Sequence, residues 1–384
     1  MGDPLPELTC LEICAGAGGQ SLGLEDAGFS HVAAVEIDPD ACETLRLNRP
    51  QWKVVEMDVH NFDGYPHRGV DLLAGGVPCP PFSVAGKQLG ADDERDLFPQ
   101  ALRLVRECEP TAVMLENVPG LSQARFANYR EQVLHELQDE LGYEADWQVL
   151  NACEFGVPQL RPRFILVAMR PDAYAHFEWP NAIGTPPTVG EALHAMMAED
   201  GWTGADAWAR KANGVGPTLV GGSRKHGGPD LGPTRAREAW SKLGVDGRGL
   251  ADAPPPADAP ADHTPRLTRE MTAAVQGFPA DWEFYGRKTA AYRQIGNAFP
   301  PPVARAVGMK ICMAIQAAPL VAAALGLPVP HKGEFVSARV VPAHEDRDDS
   351  VAVIGGRSWT LARPGDPQTP APVIPRQSGD QTNH

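Results

Sequence analysis

One cysteine of this chain stands where a nucleophile could work. The run Gly75-Gly76-Val77-Pro78-Cys79-Pro80-Pro81-Phe82-Ser83 follows an apolar stretch, residues 70–74, that reads as a buried strand. Prolines fix the backbone around Cys79, and the glycines let a ligand come close. Parallel sheets place their sites at the carboxyl ends of strands, which puts Cys79 at an active edge. Without that setting a lone cysteine would read as an inert core residue. A carboxylate holds the same kind of position: Glu116, in Glu116-Asn117-Val118-Pro119-Gly120, follows the strand predicted over 112–115. It falls in line with the nucleophile of a neighbouring strand, although the segment alone would also serve as a turn or helix cap. In Gln159-Leu160-Arg161-Pro162-Arg163, two arginines flank a proline ahead of a strand over 164–169. They are surface charges, or donors aimed at the oxygen of a planar substrate.

A second constellation points to a cofactor. Cys14-Ala15-Gly16-Ala17-Gly18-Gly19 is a glycine-rich turn between a strand over 8–14 and a helix around 21–27. Such a turn lets a cofactor approach the backbone beside the N–H groups of a helix start. Glu36, at the end of the next strand (32–37), lies 20 residues beyond Gly16, the distance expected of a carboxylate that holds ribose hydroxyls. The pattern is compatible with a nicotinamide dinucleotide or with S-adenosylmethionine, except that the dinucleotide fingerprint wants Gly where this chain has Ser21.

The elements that must position these groups alternate in type. Strands over 8–14, 32–37, 53–57, 70–74, 112–115 and 164–169 are separated by amphipathic segments. In the segment 97–108, for example, Leu97, Ala101, Leu104, Val105 and Cys108 share one face. Strand–helix alternation predicts an α/β fold, a mostly parallel sheet covered by helices on both faces. From about residue 172 the texture changes. Residues 176–264 are rich in Gly, Pro and Ala and weakly periodic, and end in the Pro/Ala run 251–261. They read as a second, smaller domain closed by a flexible linker. Regular patterning returns over 267–275 and 303–317. The tail beyond 320 is Pro-rich and polar and is expected to pack poorly, with a short strand near 351–354.

Composition excludes several classes. With 384 residues, 43% hydrophobic and 22% charged, the chain can bury a sizeable core as an ordinary soluble protein. No apolar run is long enough to span a bilayer, and the opening residues have neither a basic nor an apolar leader region. Seven scattered cysteines with no C-x-x-C pair argue against a disulfide framework and against a zinc site, and suit the cytoplasm. The net charge of −15 argues against nucleic acid only until its distribution is considered. Residues 1–40 hold eight acids and no Lys or Arg, whereas 213–248 hold six basic residues against three acids.

The motifs, in this order, resemble those of the DNA (cytosine-5)-methyltransferases over most of the chain. The family's first motif is similar to residues 11–19, continuing through 20–29, its Pro-Cys motif to 75–83, its Glu-Asn-Val motif to 116–118 and its Gln-x-Arg-x-Arg motif to 159–163. A later Arg-x-x-x-Glu segment resembles Arg266 to Glu270, and the closing motif resembles Tyr292-Arg293-Gln294-Ile295-Gly296-Asn297-Ala298. The family usually has Phe where Cys14 stands and Gln where Pro80 stands. The resemblance implies a Rossmann-like, S-adenosylmethionine-dependent methyltransferase core built from residues 1–175 plus 265–320. It makes 176–264 a target-recognition domain and leaves 321–384 as the tail.

That resemblance also assigns roles. Carbon 5 of cytosine is too electron-poor to attack a methyl sulfonium, and a Cys79 thiolate added to carbon 6 makes it nucleophilic. Glu116 is placed at ring N3, as a neutral acid or as an acceptor for the amino group. Arg163, with Arg161 nearby, is placed at the O2 oxygen. The base must be flipped out of double-stranded DNA, and residues 83–96 resemble the loop that closes over it. Cys14, Gly16, Gly18 and Gly19 are placed around the methionine portion of the cofactor and Glu36 at its ribose. Asp58 and Val59 are placed beside the adenine, and Gly76, Pro78, Leu97, Asn297 and Ala298 complete the pocket. Ser83, Arg224, Lys225, His226, Arg235 and Arg237 are the candidates for DNA contact. The implied role is that of a monomeric, single-chain prokaryotic modification enzyme, with a separate restriction endonuclease as a companion. Rival readings are an RNA methyltransferase of the same superfamily and a catalytically silent DNA-binding regulator. A nicotinamide-dependent oxidoreductase would leave the Pro-Cys and Glu-Asn-Val motifs unexplained.

Overall fold

The computed structural model describes residues 7–78, 96–222, 228–324, 339–341, 351–354 and 357–360. In chain order the elements are β1 (Leu8–Ile13), α1 (Gly19–Asp26), β2 (Phe29–Glu36), α2 (Pro39–Asn48), β3 (Val54–Glu56) and β4 (Leu72–Gly75). Then come α3 (Phe98–Cys108), β5 (Ala112–Asn117), α4 (Ala127–His135), β6 (Glu144–Asn151), β7 (Gln159–Leu160), β8 (Pro162–Met169) and α5 (Pro171–Tyr174). The insert supplies α6 (Val189–Ala198), α7 (Ala205–Lys211), β9 (Gly216–Pro217) and α8 (Thr234–Lys242). The chain continues through α9 (Arg269–Gln276), α10 (Lys288–Asn297) and α11 (Pro301–Ala324) to β10 (Arg339–Val341), β11 (Val351–Ile354) and β12 (Arg357–Thr360).

The expected α/β architecture is present as a seven-stranded sheet of order β3-β2-β1-β4-β5-β8-β6. Its first five strands are parallel, as alternation with helices requires. Alternate residues of these strands point to opposite faces. Leu11, Ile13, Ala33, Val35, Val113 and Leu115 share one core with Phe98, Ala101, Leu104 and Val105 of α3. Ala34 belongs to another, with Leu22 of α1, Leu45 of α2 and the aromatic cluster Phe278, Trp282 and Phe284. The strand anticipated over 164–169 exists, but β8 runs antiparallel to β5, and β6 beyond it pairs antiparallel with β8.

The insert departs further from its reading. Among its described residues three helices form, one started by a capping box in which Thr188 and Glu191 bond each other's backbone N–H. Trp202, Trp208 and Trp240 are buried there among Val189, Leu193 and Met197. The same core takes in Leu267, Met271, Val275 and Tyr292, and residues 1–317 form one compact unit. The Pro/Ala run 251–261, anticipated as a flexible linker, is instead a strap fixed by its backbone. Ala251 N–H donates to Leu267 O at 2.9 Å, Pro256 bridges to Gly201, and Pro260 O accepts from Trp202 Nε1 at 2.9 Å. Backbone hydrogen bonds of this kind leave no periodic trace in side-chain types, which is why the run read as a linker. Residues from 318 onward form a separate unit, in which β10, β11 and β12 make a three-stranded antiparallel sheet with the anticipated 351–354 strand in its middle.

The start of α11 is seated on α1 with no room to spare. A Cβ at Gly23 would stand 2.3 Å from Pro301 O and 2.6 Å from Ala304 Cβ. The contact brings the chain segment between α10 and α11 against the glycine-rich turn. Gly23→Ala is expected to cost about 1–3 kcal/mol through overpacking, read as a lower urea midpoint with an unchanged slope. An unaltered midpoint would show that the two helices separate freely.

Candidate active site

A cavity of about 650 Å³ opens at the carboxyl ends of the parallel strands. Its wall gathers Cys14, Gly16 and Gly19 from the turn after β1, Glu36 from the end of β2 and Asp58 and Val59 from beyond β3. Gly76 and Pro78 follow β4, Leu97 precedes α3, Glu116 comes from β5, and Asn297 and Ala298 come from the end of α10. Eleven of the twelve residues anticipated for the cofactor therefore meet in one place. The twelfth, Gly18, is a correction. It caps α1 in the left-handed region (φ 87°), and a Cβ on it would strike the Trp282 ring at 2.6 Å, so its backbone packs on that ring and does not line the cavity.

Glu36 is held in place by backbone. Its Oε2 accepts from Gly16 N–H at 2.7 Å, and its Oε1 accepts from Ile37 and Asp38 N–H at 2.9 and 2.8 Å. Burial pushes its carboxyl upward, and the three N–H donors oppose that shift. Two carboxylate oxygens offer about four lone-pair sites, so one remains for a ligand hydroxyl. Asp58 caps a short turn by accepting from His60 N–H at 2.9 Å, and the His60 contacts hold its carboxyl below the usual range. Cys14 has φ 50°, and burial together with the charge of Glu36 keeps its thiol protonated well above the ordinary cysteine range. It is a residue of the cavity wall. Cys79 itself, with Ser83, Arg224, Lys225 and His226, lies outside the described residues.

The antiparallel turn of β8 brings Arg163 to Glu116. In the β5–β8 ladder Asn117 faces Phe164 and Glu116 faces Ile165, so the start of β8 adjoins the end of β5. Arg163 Nε meets Glu116 Oε1 at 2.6 Å, with both side chains largely buried. Burial lowers the affinity of Arg163 for its proton, and Glu116 counters it. Asn117, quoted in the motif but given no role by the sequence, acts beside this pair. Asn117 Nδ2 donates to Val77 O at 2.9 Å, and Leu97 N–H donates to Pro78 O at 3.2 Å, so both stems of segment 79–95 are fixed. A β-strand end followed by Asn was visible in the sequence, but its target was not.

Arg161 is the second correction, because it does not face the cavity. Its guanidinium is fully buried, and Nη1 donates to Leu219 O at 2.7 Å. Nη2 donates to Gly296 O and Ala298 O at 2.8 and 2.9 Å. Three carbonyls thus occupy the donors anticipated for a substrate. Gln159 completes the knot, accepting from Leu219 N–H at 2.7 Å and donating to Gln276 Oε1 at 2.7 Å. Here the insert meets the cavity wall: a Cβ at Gly296 would lie 2.4 Å from Gly221 N, and Asn297 Nδ2 donates to Gly222 O at 3.1 Å. Of the DNA candidates described, Arg235 is exposed on α8, while Arg237 is half-buried and donates back to Thr234 Oγ1 at 3.2 Å.

The sheet, the glycine turn facing a strand-end carboxylate, and a buried Glu–Arg pair at the same edge define a Rossmann-like methyltransferase. Residues 8–313 match the family model described as C-5 cytosine-specific DNA methylase. The chain belongs to that family, as a prokaryotic modification-type enzyme that methylates carbon 5 of cytosine in DNA. It is 57% identical over 315 residues to the type II methyltransferase M.NaeI of Lentzea aerocolonigenes, a match covering 81% of this chain and 76% of that one. It is 52% identical over 314 residues to M.NgoMIV of Neisseria gonorrhoeae, covering 81% and 99%. Among solved structures, the S. pombe Dnmt2 methyltransferase shares the fold with a TM-score of 0.53 at 18% identity, covering 82% of this chain and 99% of that one. Residues 303–370 also match the model described as restriction endonuclease NaeI.

Arg161→Lys is expected to lower the unfolding free energy by at least about 2 kcal/mol, because one ammonium cannot reach three buried carbonyls. Chemical denaturation measures it. Full stability with weakened activity would return Arg161 to the reaction.

Proposed function

We propose that the methyl donor is S-adenosylmethionine and that the acceptor is a cytosine flipped out of a short recognised sequence in double-stranded DNA. The juxtaposition of Glu116 and Arg163 with the Glu36 pocket carries this reading. The pocket suits the donor by its charge and shape. Glu36, Asp38, Asp58 and Glu116 make the wall acidic, with Arg293 drawn toward Asp38 and Asp40, which favours a cation over a phosphate-bearing dinucleotide. The start of α1, where a pyrophosphate would sit, is covered: a Cβ on Gly19 would stand 2.2 Å from Phe299 O. Glu36 would hold the ribose hydroxyls and Asp58 with Val59 the adenine edge, and the bound sulfonium would supply an electrophilic methyl group.

The chain's own residues perform the rest. Cys79 adds through sulfur to carbon 6 of the ring, and the electrons displaced toward carbon 5 make that carbon the nucleophile. Glu116 bonds the N3 and amino edge, which fixes the ring and stabilises the adduct. Arg163 orients Glu116 and offers its remaining donors to the O2 oxygen, where negative charge accumulates. Once carbon 5 carries the methyl group, water takes its proton, the electron pair re-forms the 5–6 double bond, and the carbon 6–sulfur bond breaks to release Cys79 as thiolate. Arg235, exposed on α8, would contact DNA together with residues of the segment 218–228. The domain division 1–175 plus 265–320 and 176–264 remains a useful functional partition even though the two share a core.

No described helix is long and apolar enough to cross a membrane, and a cytoplasmic monomer acting beside a separate endonuclease fits a modification enzyme. The test is methyl transfer from labelled S-adenosylmethionine to unmethylated DNA, with RNA run in parallel. Label at carbon 5 within one short recurring DNA motif supports the reading, and label on RNA alone overturns it. Cys79→Ala is expected to abolish transfer while binding of donor and DNA persists. Glu116→Gln is expected to lower turnover about 10²–10⁴-fold, with the donor dissociation constant little changed in equilibrium titration.

A further inference from the structure

One stretch of the cavity wall has little structure of its own. Between β3 and β4, residues 57–71 form only two short helical turns, Val59–Asn61 and Tyr65–His67, yet Asp58 and Val59 line the cavity. Met57 N–H still pairs with Glu36 O at 2.9 Å; beyond it the turn is held from α3. Arg103 Nη2 donates to Val59 O at 2.9 Å, and its Nη1 donates to Phe62 O at 3.1 Å. The guanidinium is fixed by its own helix, with Nη1 on Glu107 Oε1 at 2.6 Å and Nε on Gln100 Oε1 at 2.8 Å. Glu107 Oε2 in turn accepts from Gly64 N–H at 2.8 Å. An i, i+4 ion pair on a helix is ordinarily worth little. This arginine differs because two of its donors reach the backbone of another segment, and because α3 is anchored in the core by Phe98, Ala101, Leu104 and Val105.

We propose that Arg103 is a positioning residue that sets the selectivity of the pocket for the base of the methyl donor, an assignment that rests on the cofactor reading above. It clamps the turn to α3 and so aims Asp58 and Val59 at the edge of the purine. Both contacts of Asp58 with His60 use Oδ1, at 2.9 Å to the backbone N–H and 2.7 Å to Nδ1, which leaves Oδ2 to a ligand amino group. A carboxylate in that place accepts from the 6-amino group of adenine. It opposes the 6-oxo group of hypoxanthine, because two acceptors would then face each other. Such discrimination comes from polar atoms left unpaired by the wrong ligand, and it holds only while those atoms are kept in place. Arg103 lies outside the cavity wall and acts through the two carbonyls it grips.

The test is calorimetric titration of the full chain with S-adenosylhomocysteine and S-inosylhomocysteine, which differ only at position 6 of the purine. The wild-type chain is expected to prefer the adenine form about 10- to 100-fold, the range for a hydrogen bond to a charged group. Arg103→Met, which keeps the stem and removes the donors, is expected to narrow that preference to about threefold, mostly through weaker binding of the adenine form. Arg103→Lys, whose single ammonium cannot match the fork on both carbonyls, is expected to fall between the two, and it serves as the test should the methionine variant not fold. A looser fold alone would weaken both ligands equally and leave their ratio intact. An unchanged ratio in a folded variant, or a wild-type chain that binds both ligands equally, would overturn the assignment. A wild-type chain that binds neither would instead sink the cofactor reading on which it stands.

Discussion

The buried guanidinium of Arg161 is the constraint on which the rest of the site depends. A fully enclosed cation is tolerable only where it is well hydrogen-bonded, and here Leu219, Gly296 and Ala298 supply carbonyls to its two terminal nitrogens, while Nε has no partner. Those acceptors come from the insert and from the end of α10, two segments far apart in sequence. Gln159 and Gln276 extend the network, with Gln276 Nε2 donating to Ala298 O. Between them these bonds bring Asn297 and Ala298 to the cavity and hold Val220 and Gly221 beside them. A chain that leaves its catalytic core and returns later needs some such point of closure.

Closure of this kind also explains why the insert does not behave as a detached module. Leu219, Leu231 and Trp240 share their core with Met271, Val275 and Tyr292. The α9–α10 region packs against the insert and also supplies part of the cavity wall. Glycines allow the contact: Gly221 and Gly296 meet backbone to backbone at distances where any side chain would collide. The position of residues 219–222 and that of the cavity wall are therefore fixed by the same packing.

Much of this was legible in the sequence where side-chain type and backbone role coincide. The glycine turn, Glu36 and the strands that present them read correctly because buried parallel strands are continuous apolar runs. Glu144–Asn151 did not read as a strand because its buried and exposed positions alternate irregularly. The helices of the insert were hidden because a few tryptophans do the packing that many aliphatic residues do elsewhere. Arg161 and Arg163 looked alike because the motif gives residue types and not directions. Their separation by two residues should place them on the same face of a strand. The break between β7 and β8 at Arg161 instead sends one guanidinium into the interior knot and the other to Glu116.

The antiparallel course of β8, which alternation alone would not suggest, is what makes the Glu116–Arg163 pair attainable. Had β8 run parallel to β5, its first residues would lie at the opposite edge of the sheet, a full strand length from Glu116. Reversal puts Pro162 and Arg163 beside the carboxyl end of β5, and β6 on the far side is registered so that Leu150 faces Arg163. Trp147 of β6 stacks on Phe164 with ring centroids 4.7 Å apart, which fixes the strand at the residue after the arginine. Arg163 thus enters the site from the rigid interior of a ladder. A charge held in that way can be aimed at an oxygen before the base arrives, so its stabilising effect requires little rearrangement during the reaction.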